Sequence, residues 1–239
     1  MRTRHFLTFI VALLSATVAA QSVAPTASYL EDEKTTEKWE NISGQAPLDV
    51  TFRANPSKME GHTAAYEWHI KRKEATTDLV VHYEEDTSYR FLESGTFVVT
   101  LKTRLTDNDS ELDEKSIEVT ISESRLEMPN AFSPNGDQIN EYYAAKGAKI
   151  NPGHSTDGYK SIVEFHAYIF NRWGQKLYEW TDIDGGWDGT YKGSPVKEGV
   201  YFVLVKARGA DGREYNIKKD VNLLRGYIEG TSTNSSTGN

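Results

Sequence analysis

The residues best placed to do chemistry are two runs of side-chain oxygens set on turns. Asp182, Asp184 and Asp188 follow the spacing D-x-D-x-x-x-D, and Asn135, Asp137 and Asn140 follow N-x-D-x-x-N. Carboxylate and amide oxygens gathered on a turn suit a hard cation, so calcium is the one cofactor they point to. Neither run follows the twelve-residue calcium loop, and Asx side chains in turns commonly bond their own backbone instead. The expectation is a chain without a resident cofactor, with Asp137, Asn140, Asp182, Asp184 and Asp188 as its calcium candidates.

Other reactive patterns are missing. The sequence has no G-x-S-x-G elbow, H-E-x-x-H pair, G-x-x-x-x-G-K-[ST] loop or G-x-G-x-x-G fingerprint. Glu164 and His166 alternate with Val163, Phe165 and Ala167, which makes them neighbours on an exposed strand face rather than a dyad. His69 and His82 fall on separate expected strands, and no histidine pair has ligand spacing. Cysteine is absent, which excludes disulfides, a thiol nucleophile and thiolate metal sites. These absences point to a protein that is not an enzyme.

The elements that position these residues read as β-strands throughout. Between Ala167 and Ala207 the apolar runs AYIF, KLYEW and VYFVLV are separated by NRWG, DIDGGWDG and KGSPVKEG, which supply the glycine, Asx and proline of tight turns. In Val200–Val205 both pleat faces are apolar, which predicts a central strand covered on both sides. Trp173 and Trp187 adjoin turn glycines, where a ring can cap the end of a sandwich. Pro134-Asn135-Gly136-Asp137, Asp188-Gly189 and Asp211-Gly212 are turns, and Arg172 is free to take a carboxylate or a carbonyl. Earlier in the chain APLDVTF, AYEWHI, DLVVHY, TFVVTLKTRL and SIEVTI are five further strands, at the spacing of an all-β sandwich.

Composition sets the compartment. Arg2 and Arg4 precede a short apolar run, Phe6–Leu14, and small residues at Val18 and Ala20 mark a cut before Gln21, so residues 1–20 read as a cleaved secretory signal. That run is shorter than the ~20 residues needed to span a bilayer, and no later stretch approaches that length, so no transmembrane span is expected. With 27 Lys and Arg against 35 Asp and Glu, the chain carries a net charge of −8. Such a surface repels nucleic acid, which is excluded as a partner.

The run APLDVTF, then Tyr66-Glu67-Trp68, then SYRFLESGTFVVTLKT resembles the PKD-type immunoglobulin-like repeat over most of residues 46–121. It departs from that pattern where His69-Ile70-Lys71-Arg72-Lys73 replaces the usual acidic, glycine-rich turn. The resemblance implies a non-catalytic spacer or adhesion module.

From Met128 onward, PNAFSPNGDQINEYY, IFNRWGQKLYEW, GGWDGTYKG, GVYFVLVKA and VNLLR are similar, in order and spacing, to the gliding motility-associated C-terminal domain. That family is the type B sorting domain of bacterial type IX secretion. The resemblance carries over Pro129, Asn130, Phe132, Pro134, Asn135, Gly136, Asp137 and Asn140 at the start. In the centre it carries Asn171, Arg172, Trp173, Gly174, Trp187, Asp188, Gly189, Gly199, Val200 and Tyr201, and Arg225 closes the set. A structural role is expected for nearly all of them, with recognition by the translocon as the other role. Gln138 and Glu141 depart from the pattern, and Gly226–Asn239 continues past the closing strand as a Ser/Thr/Asn/Gly-rich tail.

The sequence therefore predicts two tandem Ig-like β-sandwich domains after a cleaved signal peptide: 21–124 PKD-like, 125–226 sorting-like, and a flexible tail at 227–239. Its expected function is that of a non-catalytic adaptor or accessory of type IX secretion, with secretion or outer-membrane proteins as partners. The expected location is the periplasmic face of the outer membrane or the cell surface. The alternative is a type IX secreted surface protein whose PKD-like domain serves adhesion or glycan binding, with Trp39 as an exposed aromatic.

Overall fold

A computed structural model describes residues 20–31, 34–38, 40–112, 114–151 and 158–226. Most of the expected leader, Trp39 and the 227–239 tail lie outside the described residues. The described chain is all β-strand and turn, with no helix. Among the described residues, no helix is long and apolar enough to cross a membrane.

Alternation of apolar and polar residues builds two sheets in the N-terminal part. One runs Lys34–Lys38, Thr26–Glu31, Leu48–Arg53, Asp86–Phe91 in spatial order. The other runs Ile42–Gly44, Lys115–Ile121, Gly95–Leu105, Ala64–Arg72, Val80–His82, its first pair parallel and the rest antiparallel. Their inner faces share one core in which Phe52, Trp68, Ile70, Phe91, Phe97 and Val99 are almost wholly buried. Phe52 meets Trp68 at 5.8 Å between ring centroids, and the indole N–H of Trp68 donates to the carbonyls of Glu84 and Glu85. That bond answers the polar edge of a ring that would otherwise be buried unpaired.

The C-terminal part repeats this sheet order. Ala131–Phe132, Glu214–Leu223, Gly199–Gly209, Ile162–Phe170 and Lys176–Trp180 form a five-stranded sheet whose first pair is again parallel. Both central strands, Gly95–Leu105 and Gly199–Gly209, have 11 residues and open on a glycine at positive φ, 120° and 139°. Short pairs, Tyr143–Ala144 with Gly186–Trp187 and Thr190–Tyr191 with Ser194–Pro195, accompany the sheet. The second core holds Phe132, Tyr143, Ala167, Ile169, Trp187, Val203, Val205 and Leu223.

Two expectations are corrected. In Val200–Val205 only one face is covered: Tyr201, Val203 and Val205 are buried, whereas Val200 is 50% and Phe202 42% exposed. The short strand pairs close one side of this sheet and leave the other open, so apolar character on both faces did not report burial on both. The two tryptophans also part company. Trp187 is wholly buried, but Trp173 is 77% exposed, because its turn projects past the strands rather than folding over the core.

The two cores meet at a built junction. The Asp211-Gly212 hairpin sets Ala210 among the core residues of the N-terminal part, where Ser94 N–H donates to the Ala210 carbonyl at 3.0 Å. Ala210 N–H in turn donates to the Ser161 carbonyl. Ser161, 1% exposed and held at φ 46°, takes the Ala46 N–H on its Oγ at 3.2 Å and shares a hydrogen bond with the Ser122 hydroxyl at 2.8 Å. Ser124 is also buried, and its hydroxyl reaches Asp211 at 2.6 Å and Tyr215 at 2.9 Å.

Candidate recognition groove

The turn residues of the C-terminal part sort into a frame and a surface. The frame surrounds Trp187. Its ring lies 5.4 Å from Phe132 and 5.2 Å from Tyr201, and its indole N–H donates to the Thr190 carbonyl at 2.7 Å. Tyr143 packs on Phe132 and donates its hydroxyl to the Pro129 carbonyl, and burial pushes that hydroxyl's pKa up. Gly189, at φ 76°, leaves room for its neighbours: a Cβ there would meet Leu223, Arg225 and Pro134 at 3.0–3.2 Å.

Arg225 closes this frame. Its guanidinium donates to the Gly189 carbonyl at 2.9 Å and to the Val196 carbonyl, while Glu198 accepts from the backbone N–H groups of Arg225 and Gly226. Asn130 is likewise structural, since its carbonyl accepts the Asn222 N–H and its side-chain oxygen accepts Lys219. Burial lowers the pKa of that lysine.

The surface lies at the Asn171–Gly174 turn. Asn171 Oδ1 accepts the N–H groups of Trp173 and Gln175, both at 3.0 Å, and Gly174 adopts φ 78° to close the turn. This geometry throws Trp173 outward with the Arg172 guanidinium 4.8 Å over its ring. Arg172 thus stacks on an aromatic face, where a carboxylate or carbonyl partner was open from sequence. Behind the pair runs a groove of about 600 Å3 lined by Trp173, Tyr191, Lys197, Val200, Tyr201 and Phe202, among others. An exposed tryptophan and an arginine stacked on it are the residue types that anchor protein contacts.

Asp137, Asp182 and Asp188 bond their own turns. Asp137 takes the Ile139 N–H at 2.8 Å and exchanges bonds with Asn135. Asp182 takes the Asp184 N–H, and Asp188 takes both the N–H and the hydroxyl of Thr190. Asp184 faces elsewhere, accepting the Tyr159 hydroxyl at 2.6 Å and the Lys149 N–H at 3.0 Å. Among the described residues, no group of three or more His, Asp or Glu is gathered to hold a metal ion. Glu164 pairs with Arg208, and His166 Nδ1 lies 3.0 Å from the Tyr168 hydroxyl, so the two do not face each other as a dyad.

Residues 126–222 match the CHU_C type IX secretion signal domain. This signal domain contains the Trp187 frame and the Asn171–Gly174 turn, and it associates the protein with type IX secretion, with export and with the cell surface or outer membrane. Arg225 and Glu198 show that the frame is locked by a residue just past the matched segment. No curated protein matches the sequence. Among solved structures, three N-terminal domains of the bacteriophage RB49 Highly Immunogenic Outer Capsid protein are similar at 13% identity and a TM-score of 0.30, covering 85% of this chain and 59% of that one. Dimeric latent PorU from Porphyromonas gingivalis is similar at 11% identity and a TM-score of 0.24, covering 86% of this chain and 20% of that one. The chain thus spans less than two thirds of either structure.

The residues carried over by the motif resemblance include Phe132, Trp187, Gly189, Tyr201 and Arg225 of the frame but not Tyr143, Glu198 or the junction serines. Ser161, Ser122 and Ser124 carry no motif, and only a serine at a buried strand start next to apolar Ile162 hinted at a role.

Proposed function

We propose that this is a non-catalytic cell-envelope protein of the type IX secretion system, an adaptor or accessory component that acts through protein–protein contacts and keeps both sandwiches in one piece. The observation that carries this reading is the connection at 122–126. An address that is removed after delivery needs an exposed, unpaired connector for a protease to enter. Here Ser124 is 4% exposed, and its N–H and hydroxyl both bond Asp211. The N-terminal part serves as a PKD-like spacer that sets the distance of the signal domain from its surroundings, and the Trp173 groove is the contact with the machinery.

A second reading is favoured by the signal-domain match itself: the protein is exported cargo, displayed on the surface, with its N-terminal part used for adhesion or glycan contact. Deleting the gene separates the two. An accessory component predicts loss of many other exported proteins from the cell surface. A normal surface proteome lacking only this protein overturns the accessory reading in favour of cargo.

A further inference from the structure

The open face of the C-terminal sheet differs in kind from its counterpart in the N-terminal part. Along the outer face of Gly95–Leu105 the residues are Thr96, Val98, Thr100, Lys102 and Arg104, a mostly polar set in which Thr100 is buried and bonded to Ser116. Along the matching face of Gly199–Gly209 they are Val200, Phe202, Leu204, Lys206 and Arg208. Monomeric surfaces rarely leave a contiguous apolar patch of this kind uncovered.

Strand register arranges that face in two neighbouring rows. In one, Lys176 stands beside Phe170, Phe170 beside Phe202 and Phe202 beside Asp220. In the next, Glu179 stands beside Tyr168, Tyr168 beside Leu204 and Leu204 beside Lys218. Each row is two apolar or aromatic residues between two charges, and the charges of one row are opposite in sign to those of the other. Among the described residues, Lys218 and Asp220 form no ion pair within the chain, and Tyr168 stacks on Phe170 at 6.3 Å with the Lys176 ammonium 5.8 Å over its ring.

We propose that this face binds a second copy of the chain. A twofold axis lying between the rows, perpendicular to the strands, sets each row against the other row of the partner copy. Phe202 then meets Leu204 and Phe170 meets Tyr168, while Lys218 meets Asp220 and Lys176 meets Glu179. This is the self-complementarity that an isologous interface demands, with an apolar centre and a charged rim. The Lys176–Glu179 pair, 2.8 Å apart within one chain, becomes a ring of four alternating charges. Phe202 also lines the groove behind Trp173, so the dimer is read from mass alone, a quantity that neither functional reading above predicts.

The test is sedimentation equilibrium of the full chain at micromolar concentration, with each variant's melting temperature measured alongside. Wild type is expected at the mass of two chains. Phe202→Glu, at an exposed position, is expected at the mass of one chain with an unchanged melting temperature. Lys218→Glu is expected to weaken the dimer about tenfold or more, and adding Asp220→Lys to restore it, because the swap returns opposite charges to facing positions. A monomeric wild type overturns the proposal. So does a dimer indifferent to Phe202→Glu, or a charge swap no tighter than Lys218→Glu alone.

Discussion

The backbone N–H of Ala46 donates to the Oγ of Ser161 at 3.2 Å across 115 residues of sequence. That bond joins the two sandwiches, and Ser161 is held at φ 46° to make it, a conformation that persists only where its surroundings over-determine it. With Ala210 seated in the N-terminal core, the two parts unfold as one unit. Differential scanning calorimetry is expected to show a single transition whose calorimetric and van't Hoff enthalpies agree. Two separated transitions contradict the coupling.

Gly209→Ala breaks that coupling. A Cβ at this position would stand 2.0 Å from Ser124 Oγ and 2.3 Å from its Cβ, so the hairpin must shift. The expected cost is about 1–3 kcal/mol, as in other overpacked sites, with the single transition splitting into two. An unchanged thermogram means that Ser124 gives way freely.

The two tryptophans beside glycine turns are expected to behave oppositely. Trp187→Ala removes a wholly buried ring that touches Phe132 and Tyr201, at about 3–5 kcal/mol. Trp173→Ala, at an exposed site, is expected to change stability by less than about 0.5 kcal/mol. Chemical denaturation of the two variants checks both values.

Arg225→Ala leaves the Val196 carbonyl without its donor and the Gly189 carbonyl with only the Val196 N–H, at about 1–3 kcal/mol. Arg225→Lys is expected to recover little, because one ammonium cannot match the fork that reaches both carbonyls. Full recovery by lysine, read from the unfolding midpoint, contradicts the two-carbonyl clamp.

Acid weakens the junction through Asp211. Burial alone would raise its carboxyl pKa, but the Ser124 hydroxyl, the N–H groups of Arg213 and Ser124 and the Arg213 charge hold it below the usual aspartate value. A depressed folded-state pKa gives stability that is present above the unfolded value of about 3.9 and is lost as pH falls through the folded one. Melting temperature is therefore expected to drop below about pH 4, more steeply in wild type than in Asp211→Asn. Parallel slopes in the two proteins contradict this.

The all-β character was legible because strand alternation is local: AYEWHI and SIEVTI show their buried faces directly in Trp68, Ile70, Ile117 and Val119. Turn residues were legible for the same reason, since Gly174, Gly189 and Gly212 each adopt the positive φ that their motifs imply. What could not be read is long-range. Val200, Phe202 and Leu204 look like core by composition, and only the arrangement of the described strands leaves Val200 and Phe202 exposed and Leu204 half-buried. Ser124 gains its junction role from a hairpin 87 residues further on, as its bond to Asp211 shows.

The most direct test of a type IX component kept in one piece is protease treatment of intact cells, followed by intact mass of the native protein. The account predicts one species that contains both sandwiches and resists cleavage between 122 and 126. A species cut at that connection, with the N-terminal part alone on the surface, contradicts it and makes the protein delivered cargo.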